Sequence, residues 1–253
     1  MNTSRYITQL VTVIIVIFFY ASLQAGELRI SVAASMTELF KDLAAMYEKS
    51  HPEVKIISNF GPSGGLAKQI DLGAPADLYV SANPKWMHFL IEEKKVESST
   101  QKIFAHNTLV FTGLPQEKIN SLADLPSLQR IGIGSPGSVP AGQYAKEAMV
   151  KKGLYDNLLK DGKLVMAKDV RQALIYADRG ETDGSFVYKT DALLARQAKV
   201  FFEVPQELYH MVTYPLAMTV LGMSNSDAKG FYDFIVSAEV YPTIAKYGFS
   251  LPQ

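Results

Sequence analysis

The sequence of 253 residues contains no cysteine. This absence excludes disulfides, thiolate zinc sites, iron–sulfur clusters and cysteine nucleophiles, and it excludes a lipid anchor attached to a thiol. Histidine is also scarce, and its four copies stand far apart in no metal-ligand spacing: His51, His88, His106 and His210. We therefore predict no metal held directly by side chains and no cofactor.

An excess of charge of either sign is also missing, since 25 Lys and Arg balance 25 Asp and Glu. A protein that binds nucleic acid through a basic face needs such an excess, so we predict no nucleic-acid partner. The motifs H-E-x-x-H, G-x-x-x-x-G-K-[ST] and G-x-G-x-x-G are absent as well, which disfavours zinc hydrolases, phosphate-binding loops and dinucleotide sites.

The amino-terminal segment, residues 1–25, has the pattern of a secretory signal peptide. A single charge at Arg5 precedes the apolar run Leu10–Tyr20, and the small residue Ala25 ends the segment. This order of basic start, apolar centre and small residue is typical of export signals. A membrane anchor is the alternative, but the run is short for a bilayer core of about 30 Å. We predict cleavage after Ala25 and export of the remaining chain.

Strand and helix patterns alternate along the rest of the sequence, as judged from the spacing of apolar residues. Strands are predicted over Leu28–Ala33, Val54–Phe60, Asp77–Ser81, Arg130–Gly134 and Gly184–Tyr188. Helices are predicted over Thr37–Lys49, Leu66–Leu72, Pro84–Lys95, Pro140–Lys152, Val170–Arg179, Asp191–Gln197 and Ser226–Tyr247, the last broken at Pro242. Such alternation is typical of an α/β fold in which helices cover mainly parallel sheets.

The roughly 228 residues after the signal segment are many for one doubly wound sheet and suit two. The strand-like stretches Thr108–Thr112 and Tyr214–Leu221 are predicted to cross between two lobes. We predict a first lobe made of residues 26–108 plus 213–253 and a second lobe made of residues 109–212.

One catalytic motif is present, because Gly61–Gly65 (GPSGG) fits G-x-S-x-G between a predicted strand and a predicted helix. This is the setting of the nucleophile elbow of α/β-hydrolases. Too little chain precedes it to build a hydrolase sheet, and neither an HGGG-like segment nor an obvious histidine base accompanies it. A glycine-rich turn at a helix start also binds anions, through backbone N–H groups and the helix dipole. We favour an anion site at Ser63 and keep a serine esterase as the alternative.

Similar turns recur along the chain. Ser35 follows the first strand, Ala141 opens a helix, and Val170 begins another behind Asp169, which we interpret as an N-cap. Ser35 and Glu38 also match a capping box. Because turns after parallel strands gather at one edge of a sheet, these positions are expected to lie together. Two hydroxyls and several amides can bind a fully ionised oxyanion without lysine or arginine.

The segments VAASMTELFKDLA, FGPSGGLAKQIDLGAPADLYVSAN, VPAGQYAKEA, AKDVRQAL, FVYKTDA and KYGF occur in this order. Together they resemble the molybdate-binding component of bacterial molybdate ABC transporters, from Leu28 to Phe249. The resemblance implies a two-lobed periplasmic-binding-protein fold with the ligand cleft between the lobes. It further implies molybdate, and usually tungstate, as the ligand, a membrane permease as the partner, a monomeric state and a periplasmic location.

The resemblance also implies which residues bind the oxyanion: Ser35, Ser63, Ala141, Val170 and Tyr188. Tyr188 comes from the resemblance alone, because an aromatic residue at a strand end is more often part of the core. Many bacterial relatives carry further Ser or Thr after the second serine, where this sequence has Gly64 and Gly65. A receptor for another oxyanion, such as sulfate or thiosulfate, is the alternative ligand assignment.

Overall fold

The computed structural model describes residues 26–116 and 119–252, so the predicted signal peptide lies outside the described residues. Within these ranges the strands are β1 Gly26–Ala33, β2 Val54–Gly61, β3 Leu78–Val80, β4 Lys102–Asn107, β5 Leu109–Gly113, β6 Ile131–Gly134, β7 Leu164–Ala167, β8 Gly184–Tyr188, β9 Lys199–Glu203 and β10 Val212–Met218. The α-helices there are α1 Thr37–Ser50, α2 Ser63–Asp71, α3 Pro84–Glu92, α4 Pro140–Lys151, α5 Tyr155–Lys160, α6 Val170–Asp178, α7 Lys189–Ala192, α8 Ser226–Ile235 and α9 Tyr241–Lys246. None of these helices has both the length and the apolar character needed to cross a membrane.

The strands form two five-stranded sheets, with the order β2-β1-β3-β10-β4 in the first and β7-β6-β8-β5-β9 in the second. In the first sheet β1 is parallel to β2 and β3, whereas β10 is antiparallel to β3 and β4. In the second sheet β6 is parallel to β7 and β8, whereas β5 is antiparallel to β8 and β9. One strand of each sheet therefore runs against the other four. The predicted α/β fold class is confirmed, as two mixed sheets flanked by helices.

The chain passes between the two sheets twice. β4 ends in the first sheet at Asn107 and β5 begins in the second at Leu109, so Thr108 alone makes the first crossing. The return runs from Glu203 at the end of β9 to Val212 at the start of β10. In each sheet the reversed strand is the one that follows a crossing. The predicted lobes, 26–108 plus 213–253 and 109–212, stay a proposal.

Most predicted elements are confirmed within three residues at each end. The helices predicted to end at Leu72, Lys152 and Arg179 are each followed directly by a glycine. These residues, Gly73, Gly153 and Gly180, have a positive φ, which closes a helix without a side-chain clash. The helix predicted from Leu66 begins earlier, at Ser63, so that the serine of the motif lies in its first turn.

Two helix predictions are wrong in extent. The helix predicted over Asp191–Gln197 is a single turn ending at Ala192. The backbone N–H groups that follow it donate hydrogen bonds to the carboxylate of Asp178, which holds them outside a helix; they belong to Arg196, Gln197 and Ala198. The helix predicted over Ser226–Tyr247 is two helices, α8 and α9. Their break falls before Pro242, which lies in the first turn of α9, where proline needs no intrahelical donor.

The strands that the sequence pattern misses lie at sheet edges. β4 ends the first sheet, and β7 and β9 are the two edges of the second. These edge strands are only partly buried, with three buried residues of six in β4, one of four in β7 and none in β9, whereas every residue of the interior strands β5, β6 and β8 is buried. β4 and β9 begin and end with polar or charged residues, and β7 is an apolar run of only four residues, so hydrophobicity alone does not reveal these strands.

The predicted capping box between Ser35 and Glu38 is wrong. A 3-10 turn over Ala34–Met36 precedes α1, and no side chain caps that helix. The Ser35 hydroxyl lies 3.1 Å from the hydroxyl of Tyr214, and the Glu38 carboxylate pairs with Arg171. Both side chains have distant partners in place of the local ones that the spacing suggests.

Candidate anion-binding site

One small cavity is lined by all five residues that the sequence analysis singles out: Ser35, Ser63, Ala141, Val170 and Tyr188. Each of them follows or ends a different strand, namely β1, β2, β6, β7 and β8. The carboxyl ends of strands from both sheets thus meet at one point, where open α/β folds bind ligands. The cavity volume is about 10 Å³, comparable to the space that one ordered water needs.

Ser63 is the first residue of α2 and is completely buried. Its Oγ accepts a hydrogen bond from the backbone N–H of Ala82 at 2.9 Å, so its own proton is not used in that bond. The Tyr79 hydroxyl donates to the Ser63 carbonyl at 2.8 Å and fixes the turn. The hydroxyl group of Ser63 is therefore held as a donor at the cavity wall.

Ala141 and Val170 contribute helix starts. Ala141 follows Pro140 at the beginning of α4, and Val170 is the first residue of α6. The N–H groups of a first helical turn have no acceptor within the helix. The predicted N-cap is confirmed, because the Asp169 carboxylate accepts the N–H of Gln172 at 2.8 Å. That carboxylate oxygen is engaged by its own helix.

Tyr188 ends β8 and is fully buried. Its hydroxyl has no hydrogen-bond partner among the described residues. Burial raises the pKa of Tyr188 well above its ordinary value, so the group stays protonated and able to donate. An unpaired buried hydroxyl costs about 1–3 kcal/mol. A core tyrosine would normally be paired, and an acceptor placed in the cavity would remove this cost.

The electrostatics of the cavity come from dipoles rather than from cationic side chains. No lysine or arginine is among the described residues that line it. The helices α2, α4 and α6 all begin there, and a helix start carries about half a positive charge. Within the described ranges, no group of three or more His, Asp or Glu side chains is placed to hold a metal ion. The site suits a compact anion.

Sequence reasoning misses Arg171, which lies just outside the cavity on α6. Its Nε donates to the carbonyl of Ala34 at 3.1 Å and its Nη2 to the carbonyl of Ser35 at 3.2 Å, and it pairs with Glu38. The guanidinium thus bridges from the second sheet to the turn after β1. One signal was available, because a cation in the first turn of a helix opposes the dipole and needs a tertiary partner.

Behind Arg171 lies Asp191, whose side chain is completely buried. The Arg171 Nε is 3.0 Å from Asp191 Oδ1, but its N–H is directed at Ala34. Neither carboxylate oxygen of Asp191 receives a hydrogen bond from the described residues. Burial raises the pKa of Asp191 to about 7, against the opposing effect of Arg171.

Comparison with known proteins shows which family has this architecture. A family model described as bacterial extracellular solute-binding protein matches residues 28–250. The molybdate-binding protein ModA of Escherichia coli is 36% identical over 235 residues, which cover 89% of this chain and 90% of that protein. ModA of Haemophilus influenzae is 36% identical over 234 residues, which cover 89% and 91%. The periplasmic molybdate-binding protein of Azotobacter vinelandii has the same fold, with a TM-score of 0.80 at 21% identity over 89% of this chain and 100% of that one.

Two mixed sheets with a small cavity where the carboxyl ends of their strands meet are the architecture of a solute receptor of a transport system. The chain belongs to the family of bacterial extracellular solute-binding proteins, and within it to the relatives of the ModA proteins. Members of this family are transport components without catalytic activity. This membership overturns the alternative of a serine esterase with Ser63 as its nucleophile.

Proposed function

We propose that this chain is the substrate-binding component of an ABC importer and that it binds molybdate, and also tungstate, as a tetrahedral oxyanion. The observation that carries the proposal is the unpaired, fully buried hydroxyl of Tyr188 at the wall of the cavity. Ser35, Ser63 and the helix starts at Ala141 and Val170 line the same cavity as Tyr188. Ligand and receptor meet through oxygen atoms, and no side chain ligates the metal.

The donor set favours an anion that carries no proton. The Ser63 Oγ already accepts a bond from Ala82, and the Asp169 carboxylate is engaged at its helix start. Of these two side chains, only the second oxygen of Asp169 is left to accept a proton from the ligand, and it is not one of the proposed ligand contacts. Phosphate keeps a proton near neutral pH, whereas molybdate, tungstate and sulfate do not. Charge-assisted bonds contribute about 1.5–3 kcal/mol each, so one misplaced proton is a strong disadvantage.

Size separates the remaining oxyanions. Molybdate and tungstate have nearly the same radius and are larger than sulfate, so sulfate would leave gaps and long hydrogen bonds. The volume of about 10 Å³ supports a compact inorganic ligand and argues against a sugar or an amino acid. A receptor for sulfate or thiosulfate is the alternative, which a titration across anions separates.

The cellular setting follows from the same proposal. The pattern of residues 1–25 supports export to the periplasm, and the family supports a membrane permease as the partner. We infer two lobes, 26–108 plus 213–253 and 109–212, that close on the anion by a hinge motion. Closure removes water and strengthens the hydrogen bonds to the ligand. The closed form is what the permease would recognise, with a single copy of the chain as the binding unit.

The test is isothermal titration of purified residues 26–253 with molybdate, tungstate, sulfate and phosphate in turn. We expect saturable one-to-one binding of molybdate and tungstate and no heat from phosphate. Sulfate at millimolar concentration should compete poorly with micromolar molybdate. Tight sulfate binding with weak molybdate binding would replace the ligand assignment, and no heat from any of the four anions would overturn the proposed function.

A further inference from the structure

A chain of polar groups runs from the first crossing between the sheets to the cavity. The Asn107 side chain, at the end of β4, donates from Nδ2 to the Tyr214 hydroxyl at 3.2 Å. The Tyr214 hydroxyl in turn lies 3.1 Å from the Oγ of Ser35, which lines the cavity. Tyr214 is fully buried in β10 and is not itself among the residues that line the cavity.

The donor-to-acceptor direction of these hydrogen bonds is set at Asn107. Its Oδ1 accepts the backbone N–H of Thr108 at 2.9 Å, so the NH₂ end of the amide must point the other way. That NH₂ group donates both to Thr190 Oγ1 at 2.9 Å and to Tyr214. The Tyr214 oxygen is therefore an acceptor toward Asn107, and its proton has to go elsewhere.

Within the described residues, the Oγ of Ser35 is the remaining hydrogen-bond partner of the Tyr214 hydroxyl. A hydroxyl that accepts one bond and has one proton to place donates that proton to its other neighbour. Ser35 Oγ then accepts from Tyr214, and its own proton is free to point into the cavity. Burial raises the pKa of Tyr214 well above its ordinary value, so the proton that this arrangement requires is present at neutral pH.

We propose that Tyr214 and Asn107 are positioning residues that fix the Ser35 hydroxyl as a hydrogen-bond donor to the bound oxyanion. The inference rests on the proposed function for its ligand. It adds two residues that no contact with the ligand would reveal. Without the Tyr214 hydroxyl, Ser35 is free to rotate and loses the orientation that the anion needs, at an entropic cost on binding.

The same series of hydrogen bonds connects the proposed ligand site to the places where the polypeptide crosses between the sheets. Asn107 is the last residue before the first crossing, and Tyr214 lies near the start of the strand that follows the second. Ser35 and Tyr214 both belong to the first of the proposed lobes, so a hinge motion between the lobes leaves the geometry between their hydroxyls in place. The Ser35 hydroxyl is therefore held as a donor before the lobes close as well as after.

The experiment is a double-mutant cycle in the full exported chain, with molybdate as the titrant. We expect Tyr214→Phe to weaken binding about three- to tenfold, and Ser35→Ala about 10- to 100-fold. The double variant should bind within about twofold of Ser35→Ala alone, because Tyr214 acts only through Ser35. Unchanged affinity in Tyr214→Phe, or additive losses in the double variant, would overturn the positioning role.

The matched control is Tyr232→Phe. The Tyr232 hydroxyl also donates to one acceptor, the carbonyl of Thr100 at 2.6 Å, and it does not line the cavity. This variant should lower thermal stability and leave the molybdate affinity unchanged. A wild-type chain that fails to bind molybdate overturns the proposed function, whereas wild-type binding with an unaffected Tyr214→Phe variant overturns the positioning role alone.

If Tyr214→Phe folds poorly, a second variant tests the same positioning role. Asn107→Asp replaces the NH₂ donor with an acceptor, so Tyr214 would donate to it and Ser35 would have to donate to Tyr214. The added negative charge weakens anion binding whether or not the Tyr214 hydroxyl is present. The reversed direction of the hydrogen bonds, in contrast, requires that hydroxyl. We therefore expect a larger loss of affinity in the wild-type background than in the Tyr214→Phe background. Equal losses would contradict the assigned direction.

Discussion

The backbone N–H of Gly64 donates to the carbonyl of Ser138 at 2.9 Å, which joins the start of α2 to the loop before α4. The two segments follow strands of different sheets, so this bond would form when the proposed lobes close. A Cβ at residue 64 would lie 2.9 Å from Ser138 Cα and 2.4 Å from a ring carbon of Trp86. Glycine at this position allows the two backbones to meet.

We expect Gly64→Ala to hinder closure and to weaken molybdate binding by about tenfold or more, because its methyl group has no space between Trp86 and Ser138. Trp86 is the only tryptophan of the chain and is 6% exposed, so its fluorescence can report closure. Molybdate should shield Trp86 from a soluble quencher in the wild-type chain and less so in the variant.

Gly65→Ala is the matched control for Gly64→Ala. Its Cβ would meet only the ring of Pro62, at 3.1 Å, and both substitutions add the same methyl group to the same helix. Its affinity should stay within about threefold of the wild type, since no backbone atom stands in the way. Equal losses in the two variants would assign the effect to the helix start as a whole rather than to the contact with Ser138.

Tyr188→Phe should change affinity and stability in opposite directions. Loss of one donor should weaken molybdate binding by about 1–3 kcal/mol. The ligand-free chain should become no less stable, because the substitution removes a buried hydroxyl that lacks a partner. Titration and thermal unfolding without ligand measure the two effects. An unchanged dissociation constant would remove Tyr188 from the site, and a loss of stability with normal binding would make it an ordinary core residue.

Val170→Pro tests whether the backbone of α6 binds the anion. Proline is tolerated at the first position of a helix and lacks the N–H. The preceding residue, Asp169, already has the extended backbone that proline requires of its neighbour. We expect stability close to that of the wild type and molybdate affinity lower by about tenfold or more. Val170→Ala keeps the amide and should bind nearly normally, and equal affinities in the two variants would rule out the amide as a donor.

We predict that anion binding depends on pH because of the buried carboxyl group of Asp191. Burial raises its pKa to about 7, with Glu38 and Asp169 acting in the same direction and Arg171 against them. Below pH 7 the carboxyl is neutral, and above it the group adds a negative charge three residues from Tyr188. Molybdate affinity should therefore fall severalfold between pH 6 and pH 8, where molybdate itself carries no proton. A flat profile in the wild-type chain would contradict this expectation.

The same raised pKa fixes the sign of the effect on stability. The folded chain binds the Asp191 proton more tightly than the unfolded chain does, so this contribution is complete below the unfolded pKa near 3.8 and is lost as the pH rises through about 7. Asp191→Asn cannot titrate and should flatten both the stability and the affinity profile over this range. Thermal unfolding of the ligand-free chain from pH 5 to pH 8 measures the first of these.

Local patterns in the sequence determine the regular elements and the turns of the site. Ser63 at a glycine-rich turn and Val170 behind the cap Asp169 are visible because helix starts require particular residues in particular order. The interior strands β5, β6 and β8 are visible because they are fully buried and mostly apolar. Tyr188 was identified only through resemblance, since one buried aromatic residue at a strand end looks like any other.

The tertiary structure decides what these residues contact. The spacing of Ser35 and Glu38 suggests a local cap, but the fold gives them Tyr214 and Arg171 as partners, from residues more than a hundred positions away in the chain. Such pairings depend on which strands become neighbours, and no local preference encodes that choice. The direction of the Ser35 hydroxyl and the unpaired state of Tyr188 likewise exist only once both sheets are assembled, because a hydrogen bond is defined by two groups and not by one.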